Sequence, residues 1–168
     1  MRYPATIGLL LAILCSCNPK SDDIQILVAA GRSFAKEHRY ADAQIAYEKA
    51  LALDSLNAEP HYELGNLNAR LGRLDAAAQA FAAAVAADPA HDSAKHNLAV
   101  VEADRGRLPQ AVELLEQLPG YTPALRTLGL FYEKQGRYDL AETTLRTASQ
   151  AGDQHPEARQ QLGRLYIR

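Results

Sequence analysis

The chain has 168 residues, 48% of them hydrophobic, and a formal net charge of -2. That length suits one domain, and alanine supplies much of the apolar fraction, as close helix packing requires. A near-neutral balance without a clustered basic surface excludes a dedicated nucleic-acid binder.

The first residues stand apart from the rest. Arg2 gives a weak positive end, and Ala5 to Leu14 form an apolar run broken only by Thr6. The run is short of the roughly 20 residues that span a bilayer and suits the core of a secretory signal.

Leu14-Cys15-Ser16-Cys17 follows, and it resembles a bacterial lipobox: an aliphatic residue, two small ones, then the cysteine that takes the lipid. Cys17 fits better than Cys15, because Leu14 would stand immediately before Cys15 where a small residue is wanted. The resemblance implies removal of a leader over residues 1–16, a thioether-linked diacylglycerol on Cys17 and an acyl chain such as palmitate on the new amino terminus. Several acyl chains, at about 0.8 kcal/mol per buried methylene, hold a protein firmly where one would not. Ordinary secretory cleavage is the competing reading, and it leaves the cysteine without a purpose. A disulfide lacks a partner, since no cysteine follows Cys17. A metal site needs more ligands than one cysteine pair and five scattered histidines supply, and no cofactor is expected. Asn18 stands where an aspartate would favour inner-membrane retention. The implied location is therefore the outer membrane, lipid-anchored and facing the periplasm. Residues Asn18 to Asp23 (NPKSDD) read as a short polar tether, so that 17–23 link lipid and body.

From Ile24 a two-helix pattern repeats. A small residue recurs as Gly31, Gly65, Ala99, Gly129 and Gly163, at spacings of 34, 34, 30 and 34. A second recurs as Ala43, Ala77, Ala111 and Ala141, at 34, 34 and 30. Small residues at such spacing mark close helix crossings, and large ones beside them fill the space. The units run over 24–57, 58–91, 92–121 and 122–155. In the third, Leu118-Pro119-Gly120 stops the second helix about one turn early. Residues 156–168 supply only a first helix, with Ala158, Leu162, Leu165 and Tyr166 as its apolar face, and read as a capping half-repeat.

The period and the side-chain sizes together resemble the tetratricopeptide repeat (TPR) over about residues 24 to 168. The departures are His61 and Lys95, where a large apolar residue is usual, and Asn68 and Glu102, where an aromatic is usual. The resemblance implies an all-α superhelical solenoid of antiparallel helix pairs whose first helices line a concave groove. Groove positions then fall on Val28, Arg32 and Lys36; Tyr62, Asn66 and Arg70; His96 and Val100; Arg126 and Leu130; and Arg164. Arginine forks suit acidic side chains or a terminal carboxylate, with Tyr62 and Leu130 as apolar anchors. The carboxylate clamp of chaperone-binding TPRs is not matched, since Val28 and Glu63 occupy its positions.

The sequence contains no Gly-rich phosphate loop, zinc-helix motif or nucleophile beside a plausible histidine, so no enzyme is expected. The expected role is a lipid-anchored scaffold that holds a protein or peptide partner in its groove. The resemblance offers two models, a pilotin-like assembly factor or an adaptor for cell-wall enzymes. A structural or accessory subunit of an envelope or secretion complex, using its convex face, is the alternative, and self-association stays open.

Overall fold

The computed structural model describes residues 19–151 and 157–166. The leader, the lipobox and Cys17 lie outside the described residues. Within them the chain forms α1 (Pro19–Lys36), α2 (Tyr40–Leu53), α3 (Ala58–Arg70), α4 (Leu74–Ala87), α5 (Asp92–Asp104), α6 (Leu108–Glu116), α7 (Thr122–Lys134), α8 (Tyr138–Gln150) and α9 (Glu157–Tyr166). None of these helices is long and apolar enough to cross a membrane.

α1 begins earlier than the sequence suggests. Residues 19–23, read as tether, are helical. The physical reason is that a polar run can also be a good helix start. Proline is tolerated in the first turn, where no intrahelical donor is lost, and Asp22 in that turn favours the positive helix end.

Each hairpin closes by one device. His38, Gly72, Gly106 and Gly136 have positive φ of 61°, 68°, 82° and 74°. The next amide in each case reaches back to close the helix end: Arg39 to Phe34, Arg73 to Asn68, Arg107 to Glu102 and Arg137 to Tyr132. Such left-handed caps satisfy carbonyls that the helix end would otherwise orphan. They also turn the chain sharply enough to lay the second helix against the first.

The small residues stand at the crossings. Ala43, Ala77, Ala111 and Ala141 are fully buried. A Cβ on Gly31 would meet the Tyr47 ring at 2.4 Å, on Gly65 the Phe81 ring at 2.5 Å, and on Gly129 the Leu145 side chain at 2.6 Å. Tyr47, Phe81, Leu115 and Leu145 are the large buried side chains of successive second helices. The third unit replaces glycine by Ala99, and its second helix has nine residues, against 14 in α2 and α4.

Every helix packs on its neighbour in sequence, and α1, α3, α5, α7 and α9 also touch one another in succession. Among the described residues the second helices make no such mutual contact. First helices are thus the inner rail of a stack of pairs, and second helices the outer one.

Candidate binding groove

A concavity of about 540 Å³ opens on the inner rail between the first three units. Arg32, Lys36, Asn66, Arg70 and Val100 line it, together with Glu63, Asn97, Ala35 and Ala69. Its floor is apolar, formed by Tyr47, Leu67, Phe81 and Val101. Five of the residues expected in the groove therefore meet at one site. Lys36 and Arg70 are exposed at its rim, and Arg70 also donates to the Ala35 carbonyl at 3.4 Å.

The other expected groove residues are placed differently. Val28 is fully buried against the core of the first unit, so its assignment to the groove is corrected. Val28, Tyr62, His96 and Arg126 share one repeat position, three residues before the small residue. That position lies on the seam between groove and core, and the side chain decides which way it turns. Valine goes in. Tyr62 packs its ring 4.7 Å from that of His91 and 5.9 Å from that of Phe81. Leu130 is half-buried against the core cluster of the third and fourth units rather than offered as an anchor. Arg164 is exposed on α9.

The basic heads are not poised for a ligand in the way the sequence suggests. Arg32 pairs with Glu59 and Glu63, and Arg126 with Glu157. These pairs belong to a ladder that the sequence reading missed. Arg32 donates to Glu63 at 2.6 Å, Asn97 donates to Asn66 at 2.9 Å, His96 contacts Thr127 at 2.9 Å, and Arg126 donates to Glu157. Each rung joins residues 31 apart on successive first helices. The separation holds even through the third unit, whose repeat is four residues shorter. There the rung starts from His96, one turn before Val100, which shares the repeat position of Arg32 and Asn66. The available signal was polar pairs at a constant offset of 31, slightly less than the period.

The same packing acts on the titration of His96. Burial lowers its pKa below the usual 6.5. The hydrogen bond to Asn97 opposes that shift and the nearby Arg126 charge adds to it. The imidazole is therefore kept neutral on the inner rail.

Glu102 and Asn68, the departures from an aromatic position, are both accommodated. Glu102 is 4% exposed and accepts from Arg105 at 2.6 Å and Arg107 at 3.1 Å. Asn68 donates to the Leu64 carbonyl at 2.9 Å. His61, where a large apolar residue is usual, reaches the Ser55 carbonyl at 2.9 Å.

Three family models of the tetratricopeptide repeat match residues 28–92, 69–130 and 124–160. Among solved structures the chain is similar to MamA, at 27% identity and a TM-score of 0.70 over 80% of each chain. It is similar in fold to PilF of Pseudomonas aeruginosa, at 15% identity and a TM-score of 0.80, over 89% of this chain and 70% of that one. It is likewise similar in fold to YrrB, described as a TPR protein with an unusual peptide-binding site, at 21% identity and a TM-score of 0.70 over 89% of this chain and 78% of that one. No curated protein matches the sequence significantly. With the matched segments running almost continuously through its helix pairs, the chain belongs to the tetratricopeptide repeat family.

Proposed function

We propose that this protein is a non-catalytic scaffold, lipid-anchored through Cys17 at the periplasmic face of the outer membrane, that holds a segment of a partner protein in its concavity. The observation that carries the binding role is the site between the first three units, a cleft of about 540 Å³ with an apolar floor and the exposed cations Lys36 and Arg70 at its rim. Such a cleft suits an apolar side chain with a carboxylate nearby. YrrB, described as binding peptide, supports the general use of this fold. The PilF likeness supports the fold alone, and a pilotin-like role is one of the two models that the partner's identity would decide between.

The anchoring reading rests on Leu14-Cys15-Ser16-Cys17. Helix α1 starts at Pro19, two residues after Cys17. Two residues can reach no further than about 7 Å, so a lipid on Cys17 would hold the solenoid close to the bilayer.

The test is affinity capture from crosslinked envelopes with wild type, Lys36→Glu/Arg70→Glu and Cys17→Ser. Loss of one partner in the groove variant supports the scaffold, and its identity separates pilus assembly from wall remodelling. A partner kept by the groove variant means the convex face is used and overturns the groove reading. Incorporation of a palmitate analogue into wild type but not Cys17→Ser tests the anchor separately.

A further inference from the structure

The first and last rungs of the inner rail are ion pairs, Arg32 with Glu63 and Arg126 with Glu157. The two between them are neutral, and they are joined: His96 Nδ1 lies 3.3 Å from Asn97 Oδ1. A continuous polar chain therefore runs from Thr127 on α7, through His96 and Asn97 on α5, to Asn66 on α3. Its last two members line the cleft, and His96 does not.

Such a chain has a direction. An amide has one oxygen and one nitrogen, and a neutral imidazole has one N–H and one bare nitrogen. Fixing the hydrogen on His96 therefore fixes every donor as far as Asn66. With the hydrogen on Nε2, Asn97 would offer Nδ2 to the bare Nδ1, and Asn66 would donate to Asn97 and turn its oxygen to the cleft. With the hydrogen on Nδ1, every bond points the other way. The structure holds this second arrangement at both amides. Asn97 turns its oxygen to Nδ1, and its Nδ2 donates to Asn66 Oδ1 at 2.9 Å. Thr127 completes it. Its hydroxyl is nearer to Nε2, at 2.9 Å, than to the Pro123 carbonyl, at 3.1 Å, and that carbonyl already accepts a helix amide. Arg126, itself paired with Glu157, opposes a second proton on the ring, and the Tyr121 ring packs 5.9 Å away. Among the described residues Nδ2 of Asn66 has no partner of its own.

We propose that Asn66 is a specificity residue of the cleft, presented as a hydrogen-bond donor by His96 through Asn97, and that it takes a main-chain carbonyl of an extended partner segment. The inference rests on the cleft being the binding site of the proposed scaffold. A neutral N–H above an apolar floor suits a neutral acceptor, since a carboxylate there would lose its hydration, and Lys36 and Arg70 at the rim are the groups for charge. The backbone carbonyl is the neutral acceptor that every segment carries. His96 is a positioning residue.

The test needs no captured partner. It is NMR of the nitrogen-labelled full-length protein in mild detergent at neutral pH. The imidazole nitrogen shifts of His96 are expected to show the hydrogen on Nδ1; a hydrogen on Nε2 reverses the chain and overturns the proposal. N,N-dimethylacetamide, which has a carbonyl and no N–H, then probes the cleft. The side-chain amide protons of Asn66 should move several-fold further than those of Gln117, an exposed amide outside the cleft. Equal movement overturns the proposal. His96→Asp puts an acceptor where Nδ1 stood, turns both amides over and should bring the Asn66 response down to that of Gln117. His96→Asn, which can keep a donor there, should retain it. If both variants lose the response alike at unchanged melting temperature, His96 only packs and the proposal falls. An Asn66 response in a protein that captures no partner would support the donor while retiring the scaffold.

Discussion

Arg107 stands over Glu102, with Nη1 3.1 Å from Oε2, as Arg39 stands 4.4 Å over the Phe34 ring and Arg137 4.8 Å over the Tyr132 ring. The same arginine position serves a ring in two units and a carboxylate in a third. Breaking a buried ion pair costs about 3–5 kcal/mol when the remaining charge stays buried. Arg107 is half-exposed and can rehydrate, and Arg105 keeps Asp75 as a partner at 2.6 Å. Glu102→Ala is therefore expected to cost about 1–3 kcal/mol in urea denaturation. Glu102→Tyr should recover most of that, because Arg107 can stack on the new ring as its counterparts do.

At Gly65 the lack of a Cβ is a packing requirement. The added carbon would lie 2.5 Å from the ring of Phe81, which is 1% exposed, so the ring would have to shift. Gly65→Ala is expected to destabilise by about 1–3 kcal/mol through overpacking. Gly163→Ala is the internal control. Among the described residues nothing lies within 4 Å of the added carbon there, so the same change should stabilise the fold slightly, since alanine is favoured over glycine in a helix by about 0.5–1 kcal/mol. Melting of the two variants at low protein concentration separates the cases.

The repeats were legible because their cause is local and strict. A glycine or alanine is needed wherever two backbones approach, and that need returns with each unit. The groove was only partly legible because its membership depends on rotation. Arg32, Asn66 and Val100 face the cleft, while Val28, three residues before Gly31, turns into the core. Whether an arginine awaits a ligand depends on what the next helix brings near. Glu63 meets Arg32 only because successive first helices are offset by 31 residues. Periodicity shows that a helix faces inward and leaves the identity of its cross-helix partner undetermined. The start of α1 was missed for a simpler reason, that NPKSDD satisfies the chemistry of a tether and of a helix N-terminus equally well.

The His96 rung should make stability depend on pH. Its imidazole lies 2.9 Å from Thr127 Oγ1 and 3.3 Å from Asn97 Oδ1, and the groups around it include the Tyr121 ring and Arg126. Burial, first, holds the folded pKa below 6.5. The unfolded chain then takes up a proton before the folded one does. The contribution of His96 is fully present above about pH 6.5 and is lost as the pH falls through the lower folded value. Melting temperature should fall more steeply between pH 6.5 and 5 for wild type than for His96→Gln. Equal slopes would mean that other groups carry the acid sensitivity.

Arg32 and Lys36 lie one turn apart on α1 and should respond oppositely to charge reversal. Arg32 already serves Glu59 and Glu63, so Arg32→Glu sets three carboxylates together across the first two units. The expected loss is about 1 kcal/mol of stability, partly recovered in high salt as the repulsion is screened. Lys36 is exposed, and among the described residues no ion pair holds it. Lys36→Glu, alone or with Arg70→Glu, should change stability by no more than about 0.5 kcal/mol. It should nevertheless weaken binding of an acidic segment at the cleft. Fluorescence anisotropy with a labelled peptide of the captured partner would measure this, and wild-type affinity should decline with added salt. If Arg32→Glu leaves denaturation unchanged while Lys36→Glu lowers it, the roles of seam and rim are reversed, and Arg32 is the cation available to the partner.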